Sequence, residues 1–127
     1  MIDNTLTHQV IGLAMNIHCA FGPGLLESAY EEFLSIELAH AAIPFERQVP
    51  IAASHRGQKA ATAFRADLVI DDNLIVEIKS VDRLARIHEA QILTYLRLSG
   101  RRVGLLLNFN TVLLKDGIKR FLNSPHP

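Results

Sequence analysis

The sequence predicts an α/β fold in the order α-α-β-β-β-α-β, a mixed sheet flanked by helices. Three observations carry this. Residues 6–42 place their apolar side chains at helical spacing, broken once by Gly22-Pro23-Gly24. Residues 45–79 change to the period-two alternation of strands, and a helical stretch at 83–99 then leads into the apolar run "RVGLLLNF".

In the first helix, Leu6, Val10, Leu13, Ala14, Ile17 and Phe21 share one stripe, with Asp3, Asn4 or Thr5 as the cap. The second helix is expected from about Leu25 to Ala42, burying Leu25, Leu26, Ala29, Tyr30, Phe33, Leu34 and Ile36, with Pro44 closing the segment. Glu37 projects into that apolar face and calls for an arginine or lysine partner. "FERQVPIAA" alternates Phe45, Arg47, Val49 and Ile51 against polar positions, and Pro50 favours an edge or a bulge. "SHRGQK" reads as a turn, and "ATAFRADLVI" and "LIVEIK" as strands joined at Asp71-Asp72-Asn73. The third helix is expected over Arg83 to Ser99, with Gly100 as its stop. After the buried strand, "NTVLLKDGIKRFL" fits a short strand or a last helix equally.

The 127 residues suit one domain, 1–127, whose tail 123–127 ("NSPHP") is expected to fray. Hydrophobic residues make up 49%, enough for a core. Thirteen basic residues balance thirteen acidic ones, which argues against a protein that coats nucleic acid through bulk charge. The lone Cys19 excludes an intrachain disulfide and a thiolate metal cluster, and suits the cytoplasm. No run is long enough to span a bilayer, and the N-terminus lacks a signal-peptide pattern.

The hairpin carries the chemistry. Alternation sets Ala66, Leu68 and Ile70 on one face of its first strand, and Leu74, Val76 and Ile78 on one face of its second. Those sets must share a face, since a one-residue slip would mix core with surface. The simplest register pairs Ile70 with Leu74 and brings Asp67 opposite Glu77, with Lys79 two residues further along the same face. Adjacent carboxylates repel unless a cation lies between them, and Mg²⁺ suits oxygen ligands. Lys79 is placed to activate a water or to steady charge developing on a phosphate. The competing reading is a cross-strand ion pair between Asp67 and Lys79 on a solvated face.

"GLLESAY" matches the Gly-x-x-Glu-x-x-Tyr signature, and the chain resembles the GxxExxY proteins of the PD-(D/E)xK nuclease superfamily. The likeness runs from "IHCAFGPGLLESAYEEFLSIEL" through "FRADLVIDDNLIVEIKSVDRL" and "HEAQILTYLRLSGRRVGLLLNFN" to "LKDGIKRF". It implies a restriction-endonuclease-like core and a Mg²⁺-dependent nuclease, with Mn²⁺ as the alternative ion and DNA or RNA as substrate. By the resemblance Asp67 is the first strand acid, with Ala66 in place of the eponymous proline, and Glu77-Ile78-Lys79 is the ExK triplet. Glu27 is the acid of the preceding helix, expected to bind the metal directly or through water, and the Ile78 carbonyl is a further metal ligand. Gln91 and Tyr95 match a QxxxY motif on the following helix.

Around that set, His18, Tyr30, His88 and Tyr95 are expected to flank the site, with His18 read chiefly as a structural histidine and Tyr30 and Tyr95 as core aromatics. Gln91 is placed to orient Lys79 or a water. Arg83 and Arg86, in the arginine cluster that also holds Arg97, Arg101 and Arg102, are candidates for phosphate contact. Two other functions fit the same residues: an interaction module that keeps the fold without catalysis, and hydrolysis of a small phosphorylated molecule. Pairing of two copies is expected if both strands of a duplex are cut.

Overall fold

Period-two alternation in residues 45–79 becomes three consecutive antiparallel strands, and the helix after them returns the chain to a parallel fourth. A computed structural model describes residues 4–123. The elements are α1 (Thr5–Phe21), α2 (Glu27–His40), β1 (Phe45–His55), β2 (Gln58–Ile70), β3 (Leu74–Lys79), α3 (Arg86–Ser99), β4 (Val103–Asn108) and β5 (Ile118–Leu122). The ambiguous region after β4 is a 3₁₀ turn at Leu114–Gly117 followed by β5. The sheet order is β1-β2-β3-β4-β5, with only β3 and β4 parallel. A parallel pair needs a crossover, which α3 supplies.

Both faces of the sheet are covered. Val10, Ala14 and Ile17 of α1 and Tyr30, Leu34 and Leu38 of α2 pack on Leu68, Ile70, Leu74, Val76 and Ile78. Ile92, Tyr95 and Leu96 of α3 pack on Val69, Ile75 and Leu106. Burial on two sides explains why β3 and β4 read as near-continuous apolar runs. Among the described residues no helix is long and apolar enough to cross a membrane.

Several expectations shift. α2 begins at Glu27, because Leu26 is extended and the Leu25 N–H donates to the Tyr30 hydroxyl at 3.1 Å instead of joining a helix. Leu26 is therefore 76% exposed, and Ile36, on the outer face, 52% exposed. Glu37 is half-buried and unpaired among the described residues; the buried acid of α2 is Glu31, which takes Arg47 as its partner at 2.9 Å. Ala66 leaves the side of Leu68 and Ile70 and packs with Val49 and Ile51 in the α3 cluster. The strands turn over at Gln48, whose φ is +51°. α3 begins at Arg86 rather than Arg83, since Asn108 fixes the preceding segment through Val81. Asn4 stands at the α1 cap position without a side-chain cap and accepts from Arg120 instead. Asp3 and residues 124–127 lie outside the described residues. Asn123 is tied down by bonds to Leu96, Arg101 and Arg102.

Two loops define the end of the sheet where β3 terminates. Gly22 and Gly24 take φ values of +67° and +104°, and the Tyr30 hydroxyl donates to the Gly22 carbonyl at 2.6 Å. Tyr30 is itself stacked on Phe109 at 4.3 Å. Asn108 is 2% exposed; its Oδ1 accepts from the Val81 N–H and its Nδ2 donates to the Val81 carbonyl. Gly117 lies against this clamp so closely that a Cβ there would stand 2.1 Å from the Asn108 carbonyl oxygen.

Gly117→Ala is therefore expected to force the backbone apart at Asn108 and to destabilise the protein by about 1–3 kcal/mol, the usual cost of overpacking. Urea denaturation checks this, and an unchanged midpoint would show that the contact relaxes freely.

Candidate active site

The β2–β3 register follows the hydrophobic pattern, pairing Ile70 with Leu74, Val69 with Ile75 and Leu68 with Val76. Beyond Leu68 the backbone ladder stops and side chains take over. The Asp67 N–H donates to Glu77 Oε1 at 2.9 Å, and the Ile78 N–H donates to Asp67 Oδ2 at 2.8 Å. On its other edge, the β1–β2 pairing passes from Arg47–Leu68 to Val49–Ala66 and skips the Gln48–Asp67 position. Asp67 thus sits where β2 is loosened on both sides.

This arrangement leaves oxygens free. Glu77 Oε2 has no hydrogen-bond partner among the described residues, and Asp67 Oδ1 receives only a long 3.4 Å contact from Gln48. In a strand the carbonyl of a residue points to the same side as its N–H. The Ile78 carbonyl therefore faces the gap that the Ile78 N–H shares with Asp67. Two carboxylates and a neighbouring carbonyl are oxygen donors of the kind hard divalent cations take. Among the described residues no group of three or more His, Cys, Asp or Glu side chains is arranged to hold a metal ion. A cation here would rest on these two acids and backbone.

Glu77 is 5% exposed. Burial, followed by the charge of Asp67, pushes its carboxyl up to about 8, and Lys79 opposes the rise. Burial also raises Asp67; the Ile78 N–H bond works against this, and the Glu31 charge adds to it. The Tyr95 hydroxyl is raised to about 12 by burial and by the charges of Glu77 and Asp67. Like charge in a dry site favours either a proton or a cation.

The third acid that acts on this pair is Glu31, which the sequence reading passed over. It is 6% exposed and accepts from Arg47 Nε at 2.9 Å and from Gln48 Nε2 at 2.6 Å. Gln48 also reaches Asp67, so one amide lies between two carboxylates. The available signal was the buried i, i+4 stripe Tyr30, Leu34, Leu38 with Glu31 and Ser35 beside it.

Glu27, the first residue of α2, is exposed and accepts from the Ser80 N–H at 3.0 Å. Ser80 in turn donates its hydroxyl to the Leu25 carbonyl at 2.8 Å. The glutamate therefore holds the chain just past Lys79, at an open cleft of about 670 Å³ lined by Gly24 to Ser28, Ser80 and Asn110. Lys79 is half-buried and forms no ion pair with either acid, so the solvated cross-strand pair is not formed. Gln91 is half-buried on α3, one turn before Tyr95, with no hydrogen-bond partner among the described residues.

The remaining candidates have structural contacts. His18 Nε2 lies 2.8 Å from the Thr111 carbonyl and ties α1 to the loop after β4. His88 Nδ1 accepts from the Ala85 N–H and caps α3. Tyr30 braces the glycine loop, and Tyr95 packs on Phe64 at 4.9 Å. Arg83 and Arg86 are exposed on the segment following β3, whereas Arg101 pairs with Asp72 at the opposite end of the sheet. The five arginines do not form one patch.

The sign of the Glu77 shift yields a stability prediction for the metal-free protein. Glu77 rises from 4.5 to about 8 on folding, so across that window the folded state holds a proton the unfolded chain has released. The stability from this group is full below 4.5 and is lost as pH rises through 8. Melting in EDTA is expected to occur at lower temperature at high than at low pH, and Glu77→Gln is expected to flatten the difference. An identical pH profile in the variant would contradict the buried carboxylate pair.

The family comparison bears on the fold as a whole. A model of the PD-(D/E)XK nuclease superfamily matches residues 4–121, which include every element from α1 to β4 and most of β5. No curated protein and no solved structure matches the chain. Nucleases of the superfamily generally use divalent metals. The matched span contains Asp67, Glu77 and Lys79 at the interrupted end of the hairpin, and the chain belongs to the PD-(D/E)XK nuclease superfamily.

Proposed function

We propose that the protein is a Mg²⁺-dependent nuclease, with Mn²⁺ as an alternative ion, that hydrolyses phosphodiester bonds at the Asp67–Glu77 opening. The observation that carries this reading is the reciprocal bonding of the two acids to backbone N–H groups, with Glu77 Oε2 unpartnered among the described residues and Asp67 Oδ1 in one long contact with Gln48. Asp67, Glu77 and Ile78 are the residues that would hold the ion. Bound there, a divalent cation would polarise a phosphoryl oxygen and lower the pKa of water at neutral pH.

The chain's own groups supply the rest. Lys79, unpaired at the end of β3, offsets negative charge that builds on the phosphate in the transition state. Glu77 accepts the Asp67 N–H through Oε1, and its Oε2 would be the oxygen offered to the ion. Gln91 orients Lys79 or the attacking water from α3, with Tyr95 packed behind it. Glu27 keeps Ser80 and the end of β3 in place. Arg83 and Arg86 contact substrate phosphates, which gives salt-dependent affinity. The cleft beside Glu27 is open, which suits a polymer better than a small phosphorylated molecule.

Lys79→Ala separates catalysis from folding and from metal binding. Melting temperature and calorimetric Mg²⁺ affinity are expected to stay near wild type. Cleavage of a mixed DNA and RNA panel is expected to fall by about 10²–10³, the usual cost of one transition-state contact. Asp67→Ala is expected to abolish Mg²⁺ binding and cleavage together. Cleavage by Lys79→Ala at the wild-type rate would remove the lysine from the mechanism. Absence of both Mg²⁺ binding and cleavage in the wild type would favour an interaction module.

A further inference from the structure

The β1–β2 pair is much longer than the sheet needs. β3 pairs with residues 68–70 of β2 alone, and packing against α3 reaches only to Ile51 and Phe64. Beyond them the two strands continue as a free ribbon through Ala53–Ala60 and Ser54–Lys59 to the closing pair His55–Gln58. Residues 54–63 are all exposed. The register shifts between Ile51 and Ala53, so residues 58–63 of β2 run beside only residues 52–55 of β1, and at about 3.3 Å per residue the arm projects roughly 13 Å.

Its composition is unlike the rest of the chain. Residues 48–66 hold Arg56, Lys59, Arg65 and His55 and no acid, although the whole chain balances 13 basic against 13 acidic residues. None of the three cations forms an ion pair among the described residues. Lys59 and Arg65 lie on either side of the small residues 60–63, where the β1–β2 register is irregular and every side chain is exposed. The tip turns on Arg56 and Gly57, both at positive φ (+51° and +76°). A two-residue turn of this kind favours Asn, Asp or Gly at its first position. Arginine there carries charge to the tip at some cost in backbone strain.

The ribbon also leaves the sheet at a particular end. β2 runs from the tip through Asp67 to the Asp71 turn, and β3 returns to Lys79. The arm therefore projects from the end that carries Asp67, Glu77 and Lys79. The major groove of B-form DNA, about 12 Å wide, admits a two-stranded ribbon. The deep, narrow major groove of A-form RNA does not.

We propose that the free end of the β1–β2 ribbon is a DNA-binding arm that enters the major groove of a duplex and contacts flanking phosphates through Arg56, Lys59 and Arg65. The arm's orientation toward the carboxylates rests on the nuclease reading, while binding by the arm does not.

The test is fluorescence anisotropy with a labelled DNA duplex in EDTA, over a salt series, for wild type and for Arg56→Ala/Lys59→Ala/Arg65→Ala. Loss of three phosphate contacts is expected to lower the log–log salt slope by about 2.7, and to weaken binding by roughly 10-fold or more at low salt. Lys59→Arg is expected to bind as wild type does, and thermal melts verify that the triple variant is folded. A triple variant with the wild-type slope and affinity would overturn the arm, as would a wild type that binds no duplex. Tighter arm-dependent binding of double-stranded RNA or single-stranded DNA would overturn the assignment to duplex DNA. Arm-dependent binding without cleavage in Mg²⁺ or Mn²⁺ would support the arm and refute the nuclease reading. Cleavage unaffected by the triple substitution would do the reverse.

Discussion

Everything at the business end of this fold depends on one exchange, in which carboxylate oxygens take the place of backbone carbonyls in the β2–β3 ladder. Asp67 and Glu77 each accept an N–H from the opposite strand. The strands are thereby held at a fixed separation without being zipped. A normal ladder would direct these acids to a core face, where two buried charges are costly. The exchange gives each acid a charge-assisted hydrogen bond, and leaves Glu77 Oε2 without a partner among the described residues and Asp67 Oδ1 with only a long contact to Gln48. The raised proton affinity of both acids is the residual cost of that geometry.

The opening is kept in place from both sides. Tyr30, buried and stacked on Phe109, holds the glycine loop by donating to Gly22 and accepting from Leu25, and so sets where α2 begins. Glu27 stands at that start and engages Ser80. From below, Asn108 at the end of β4 binds both backbone groups of Val81 and is itself pressed by Gly117. The Gly-x-x-Glu-x-x-Tyr spacing thus has a mechanical meaning. The glycine permits the turn, the tyrosine braces it, and the glutamate reaches across to the strand that carries the lysine.

What could be read from the sequence is what obeys short periods. The hairpin register followed from alternation and loop length, and with it the meeting of Asp67 and Glu77. The helices and their order followed from 3.6-residue spacing. Features set by distant partners were not legible. Glu31 is a core acid because Arg47 and Gln48 come to it from another strand. Val49 and Ala66 change faces because Gln48 adopts a positive φ, which no local pattern announces in a residue other than glycine. Leu26 fits the helical stripe and still lies outside the helix, since Tyr30 captures the preceding N–H. His18 looked able to reach the site and is instead bonded to Thr111, 93 residues away in sequence.

We propose that the interrupted end of the hairpin is a cation site. Titration of the ¹⁵N-labelled protein with Mn²⁺, followed by paramagnetic broadening of backbone amides, tests it residue by residue. The Asp67 and Ile78 amides, whose protons lie on the carboxylates, are expected to broaden first and at the lowest Mn²⁺. Asp71 and Asp72, exposed acids at the far turn, should be unaffected at that concentration. Broadening that begins at the far turn, or at all exposed acids alike, would contradict the claim.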